Sequence, residues 1–321
     1  MAPRARKWPP SQKPAPKTDS ASQTVSVSSE GERRTIATMS MVKQLLGVAA
    51  GWWGFHYGSH AGLKLLSSSY RRMAKGTKLE VLQNLSCLVV SAIIFPLYYV
   101  SSKKLDQSAR ERFEGYSRTC HNALLLHSGQ CIYETSTYLF QKKGLEFYLH
   151  HVLVLVNYFD VLRTGTMQYF AAKDGIVEGT NVPLCMVTLL RLFGKSDHPL
   201  YAANGLGLWV LFLALRIVNL PLVIKQWRED LSSKEGKDCW ERNSTLAKYT
   251  AMPTTAILWL LSLAWMIPIT SGLLKTIRPY LSYMKWSPEA ASGVACMLHL
   301  GKSTQPDSKL ENKQMLEQCE L

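Results

Sequence analysis

The stretch "VLQNLSCLVVSAIIFPLYYVSS", residues 81 to 102, contains no charged side chain. Coiled as a helix at about 1.5 Å per residue it is about 33 Å long, enough to cross the roughly 30 Å hydrocarbon core of a bilayer. A soluble helix of this length would need a charged face for water, and this one has none. Two more stretches read the same way. Tyr249 to Leu274 is free of charge, and Pro199 to Ile224 carries only Arg216. Weaker candidates are Leu45 to Leu66, Thr119 to Gln141 with Glu134 as its one charge, Leu145 to Ala171, and Ile176 to Phe193. The fold class expected is therefore all-α, a polytopic transmembrane helix bundle of about seven spans.

The mean hydropathy near zero hides this pattern, because polar ends dilute an apolar middle. Residues 1 to 40 are rich in Pro, Ser and Lys and are expected to be a disordered basic arm, and 286 to 321 a disordered polar tail. Between them, 41 to 70 holds the first span and 80 to 280 the main transmembrane domain. The formal net charge of +14 sits largely between spans, in "RRMAKGTK" (71 to 78), "SSKKLDQSARER" (101 to 112) and "QWREDLSSKEGK" (226 to 237). There it can meet anionic lipid head groups. A nucleic-acid partner is excluded, since no basic soluble domain is left over.

Alternating the spans puts the N-terminal arm, 102 to 118 and 225 to 248 on one side, the richer in Lys and Arg. The positive-inside rule makes that side cytoplasmic. A glycosylation sequon at Asn243-Ser244-Thr245 argues the reverse. The seven cysteines show no spacing for a metal site, and those within spans are expected to pack as small side chains.

Polar side chains at membrane depth are costly and usually turn inward. On the fourth span His150, Asn157, Thr164 and Gln168 lie within roughly 40° of one line, at 100° per residue. His151 and Asp160 flank that line, and Arg163 points nearly away. The third span carries Cys120, His127, Cys131, Glu134 and Tyr138 on one arc, and the fifth carries Glu178, Asn181 and Cys185. Arg216 sits near the centre of the sixth, where an ion pair with Glu178 or Glu134 is expected. His56, His60, His121 and His127 are expected to be satisfied packing residues. Adjacent histidines differ, because neighbours on a helix diverge by about 100°. One ring can enter a cavity while the other is held in place. Imidazole suits proton transfer and acyl chemistry near neutral pH. Divergence also makes the pair poor ligands for one ion, so no metal and no cofactor is expected.

An ordered set of motifs now resembles a known family, the TLC family of membrane proteins, which includes the ceramide synthases. "SGQCIYETSTYLF" (128 to 140) is similar to its third-span pattern, with Gln130 and Glu134 in place of Tyr and Asp. "EFYLHHVLVLVNYF" (146 to 159) resembles its His-His helix, "DGIVEGTNVPLCMVTLLRLFGKS" (174 to 196) the following segment, and "YAANGLGLWVLFLALRIVNLP" (201 to 221) the Asn-Gly helix with an embedded Arg. The resemblance implies about six transmembrane helices around an internal, lipid-accessible cavity, in the endoplasmic reticulum. For synthase members it implies that His150 and His151 serve transfer of a fatty acyl group from coenzyme A to a sphingoid amine. Here "RTGT" (163 to 166) recurs after a shorter spacer, and "AAKDGIVEG" (171 to 179) stands where the synthases carry an acidic cluster with His, with Lys173 in place of that His. The chain thus looks closer to the TLC domain-containing proteins, some of them linked to membrane lipid composition.

Two functions follow. One is a binder of an acyl chain or lipid in an intramembrane cavity that influences membrane lipid composition. The other is an acyl-CoA-dependent N-acyltransferase with His150 and His151 as the catalytic pair. Glu134, Asn157, Asp160, Glu178, Asn181 and Arg216 are the expected cavity and ion-pair residues. Membrane lipids, acyl-CoA and a second copy of the chain are the candidate partners.

Overall fold

A computed structural model describes the backbone of residues 23–286 and the side chains of 38–278, residue 142 excepted in both. The first 22 residues of the expected arm and the tail beyond Trp286 lie outside the described residues. Among the described residues every regular element is helical. The long ones are α1 (Gln23–Leu66), α3 (Lys75–Lys104), α5 (Arg118–Gln141), α6 (Leu145–Thr164) and α12 (Thr245–Trp286). Short helices α2 (Ser68–Arg72) and α4 (Ala109–Glu114) follow α1 and α3. Four segments are long and apolar enough to cross a membrane: Lys75–Lys104, Leu145–Thr164, Pro199–Ser232 and Thr245–Arg278.

The third of these is one rod built from α9 (Pro199–Phe212), a π-helical turn (Leu213–Val218) and α10 (Asn219–Ser232). A π turn inserts a residue and frees backbone carbonyls. The carbonyl of Ile217 is left free because Pro221, four residues on, has no N–H, and it accepts the indole N–H of Trp259 from α12 at 3.3 Å.

Two expected boundaries are corrected. The fourth span does not run on to Ala171; it stops at Thr164. Gly165 (φ 74°) and Met167 (φ 63°) both adopt left-handed backbone and reverse the chain. The fifth span accordingly begins earlier than Ile176. Helix α7 (Gln168–Gly175), a 3-10 turn (Ile176–Thr180) and α8 (Asn181–Leu192) run on without a break. Helix α8 alone, 12 residues, is only about 18 Å long, whereas the three together reach about 40 Å. Pro183 accounts for the 3-10 turn, since it lacks the N–H that an α-helix would aim at residue 179. Among the described residues this segment, α1 and α5 are also long enough to cross, but only the four named above are both long and apolar enough.

Helix α3 is the central post. Its buried residues Val81, Ser86, Val90, Ile94, Tyr98 and Ser101 recur at three to five positions and line the side that α5, α7, the 3-10 turn and α8 pack against. The contact is close at Gly179, where a Cβ would lie 2.7 Å from the Phe95 ring. Glycine is what lets the 3-10 turn approach α3 so nearly.

One end of the bundle is tied by charge. The Arg112 guanidinium of α4 donates Nε–H to Asp230 at 2.7 Å, Nη2–H to the other Asp230 oxygen at 2.5 Å, and Nη1–H to Asp106 at 3.1 Å. Such a two-pronged pair is stronger than a single contact, and the carboxylates push the Arg112 pKa up. Helix α11 (Lys234–Arg242) contributes Arg242, whose Nε–H reaches Glu114 at 2.7 Å and holds that carboxyl below its usual range. The backbone N–H of Met167 donates to Phe113 O at 2.8 Å. Segments 102–118 and 225–248 therefore share one end, as the alternation of spans requires.

Candidate functional site

The polar faces of α5, α6, α7–α8 and the α9–α10 rod meet inside the bundle in two adjoining groups. The first is built on the histidine pair. His151, 5% exposed, has Nδ1 within 3.0 Å of the Thr135 hydroxyl and Nε2 within 3.4 Å of Glu134. Its ring stacks on Tyr138 with centroids 5.1 Å apart. Glu134 in turn accepts the side-chain N–H of Gln130 at 2.8 Å. Both ring nitrogens of His151 thus face oxygen atoms of α5, and the ring is held rather than free.

His150 diverges from it as helical geometry demands. Its ring turns toward Trp265 of α12, centroids 5.9 Å apart, while the two imidazoles stay 5.4 Å apart. His150 Nδ1 is buried without a hydrogen-bond partner among the described residues. His121 Nδ1 is likewise buried without a partner, against the expectation that His121 is satisfied, and such atoms call for an explanation.

The second group lies beside the first. Arg216, 5% exposed, places Nη2 3.8 Å from Glu178, donates Nε–H to Thr180 at 2.9 Å, and lies over the Phe212 ring. Glu178 also accepts Asn181 Nδ2–H at 2.6 Å and stands 3.8 Å from His127 Nε2. His127 Nδ1 meets the Tyr98 hydroxyl of α3 at 3.2 Å. The expected partner of Arg216 is thus Glu178 and not Glu134. The π turn carries Arg216, and the 3-10 turn places Glu178 and Thr180 opposite it.

Not every expected residue joins. Asp160 is buried and ion-paired, but with Arg163 of its own helix at 2.7 Å, and it also accepts the Ser244 hydroxyl. It therefore ties α6 to the start of α12 near the charged end, away from the histidines. Gln168 leaves the α6 stripe altogether, because it opens α7 and accepts the backbone N–H of Ser117 at 2.7 Å. Asn157 is buried on α6. His56 and His60 satisfy the hydroxyls of Tyr133 and Tyr70 at 2.8 and 2.7 Å.

Reading by residue type passed over Tyr98, Thr135 and Thr180. Tyr98 carried a signal, since Ser91, Tyr98 and Ser102 fall within roughly 40° of one line on α3. Thr135 and Thr180 carried none, as threonine is common in apolar helices. Among the described residues no group of three or more His, Cys, Asp or Glu is placed to hold a metal ion.

The arrangement leaves one ring nitrogen of the histidine pair unpartnered while the carboxylate and guanidinium beside it stay paired. The sequence matches the model of the TLC domain over residues 80–271, more than half of the chain. No curated protein and no solved structure matches it.

Proposed function

The chain belongs to the TLC domain family, and from that premise we propose that it binds a lipid by its polar part at His150 and so influences the lipid composition of its membrane, in the endoplasmic reticulum. One observation carries this reading: the unpartnered, buried Nδ1 of His150 beside a His151 already held by Thr135 and Glu134. An ester carbonyl, amide or hydroxyl would supply the hydrogen bond that the protein leaves open. The flanking rings of Trp265 and Tyr138 would pack the adjoining alkyl part.

The test is mass spectrometry of lipids that copurify with the full chain. The wild-type protein should retain one enriched lipid class, and His150→Ala should lower its yield at least fivefold in protein of unchanged elution volume. Equal lipid profiles in the two proteins would overturn the proposal.

The same geometry favours one second reading, N-acyl transfer. With His151 fixed by Glu134, His150 is placed to accept the proton of an amine as that amine attacks a thioester carbonyl. A C–N bond forms, the C–S bond breaks, and the proton leaves with the thiolate as coenzyme A. Transfer of labelled acyl groups from acyl-CoA to a sphingoid base, lost in His150→Ala, would support it. Retention of lipid without any transfer leaves binding alone.

A further inference from the structure

A groove lies on the outer face of the bundle, apart from the histidines. Along α12, Leu263, Ile267, Thr270, Ser271, Leu274 and Lys275 recur at three and four positions and share one side. With Leu213 and Ile217 of the π turn they line a groove of about 620 Å³, within the range of lipid and small-molecule sites. Apolar side chains on a membrane helix ordinarily face bulk lipid. This face differs in being a shallow, open groove and in ending in charge.

The length matches one leaflet. From Leu263 to Leu274 the helix rises about 16 Å, close to half of the roughly 30 Å hydrocarbon core. Ile267 and Leu274 are 73% and 55% exposed there. The groove then ends in two cations, Lys275 and Arg278, and none of its lining residues is acidic. Neither cation is paired with a carboxylate among the described residues. About 6 Å below Lys275, one turn deeper, stands the Ser271 hydroxyl. Beside it, the Thr270 Oγ1 is held by the Trp209 indole N–H at 3.1 Å. An apolar wall followed by two cations thus matches the order of acyl chain and phosphate in a glycerophospholipid, with the Thr270 and Ser271 hydroxyls set into the wall between Ile267 and Leu274.

We propose that this groove binds one anionic glycerophospholipid, its acyl chain along Leu263 to Leu274 and its phosphate between Lys275 and Arg278. Two unneutralised cations complement a head group of net negative charge and gain less from a zwitterionic one, whose own cation offsets its phosphate. An acyl-CoA would instead carry its charge on a bulky nucleotide, whose adenine needs an aromatic platform that the lining lacks.

The experiment is native mass spectrometry of the delipidated full chain, offered equal amounts of dioleoyl-phosphatidylglycerol and dioleoyl-phosphatidylcholine. The wild-type protein should favour the anionic lipid by roughly thirtyfold, about a factor of five for each basic side chain. Lys275→Gln with Arg278→Gln should bring the ratio near one, and Ile267→Trp, which fills the groove, should reduce binding of both lipids. Leu274→Trp repeats that blockade at a second position in case one variant fails to fold. His150→Ala should leave the ratio as in wild type, which separates this site from the interior one. An unchanged ratio in the double variant, unchanged binding in both tryptophan variants, or displacement of the anionic lipid by an equal concentration of oleoyl-CoA would each overturn the proposal.

Discussion

Replacing Arg216 by Met keeps much of the aliphatic stem over the Phe212 ring and removes only the guanidinium. Glu178, buried to within 6% of full enclosure, then keeps Asn181 and His127 but loses its cation at 3.8 Å, and Thr180 loses the Nε–H donor at 2.9 Å. Removing one partner of a buried pair costs about 3–5 kcal/mol, because the other charge is stranded. For a domain of this size each kcal/mol shifts Tm by roughly 2–4 °C, so the variant should melt roughly 6–20 °C lower. Thermal scans of purified protein in detergent, with Glu178→Gln and the double variant alongside, provide the assay. The double variant strands no charge and should melt higher than Arg216→Met, with a coupling of about 1–3 kcal/mol. If Arg216→Met melts within about 1 °C of an exposed control such as Lys225→Met, or if the two single effects simply add, the buried pair does not hold the core as argued.

Three further outcomes are expected. Asn243 is buried and donates its amide N–H to Cys239 O at 3.1 Å in a helix of the charged end, so glycosidase treatment should leave gel mobility unchanged; a shift abolished by Asn243→Gln would place that end in the lumen and refute the cytoplasmic assignment. Gly129→Ala should destabilise by about 1–3 kcal/mol, since the new methyl meets Val48 of α1, and a second change, Val48→Ala, should recover part of the loss in the same thermal scans. Because Arg242 depresses the Glu114 carboxyl, their contact contributes above the ordinary carboxylate value of about 4.3 and fades as pH falls through the lower folded value. Glu114→Gln should therefore weaken the acid dependence of unfolding, and an identical pH profile would show the contact to be idle.

Much of this was legible in residue order. Runs with no charge or with Arg216 alone announced α3, α12 and the α9–α10 rod, because the bilayer core leaves no alternative to a helix that satisfies its own backbone. Helical periodicity likewise brought Glu134 and His127 to one face of α5 and set the two imidazoles of α6 apart. What stayed hidden were local backbone changes that hydropathy does not register. Met167, Tyr169 and Phe170 are as apolar as the span before them, so only Gly165 hinted at the reversal that detaches Gln168 from α6. The π turn at Leu213–Val218 and the 3-10 turn at Ile176–Thr180 rotate and shift Arg216, Glu178 and Thr180 relative to an ideal helix. A uniform 100° wheel could therefore show that these side chains turn inward but not which would meet. Asp160 misled for a related reason: near a helix end an acidic side chain with Arg three residues on is satisfied locally.

The central claim is that a lipid's polar part rests against His150, between α6, α5 and α12. Photo-crosslinking with a diazirine placed beside the ester of a phospholipid, followed by peptide mapping, tests it most directly. The account predicts label on the segments around Tyr138, His150 and Trp265, lost in His150→Ala. Label confined to the outward face of α12, or left unchanged by that substitution, would contradict it.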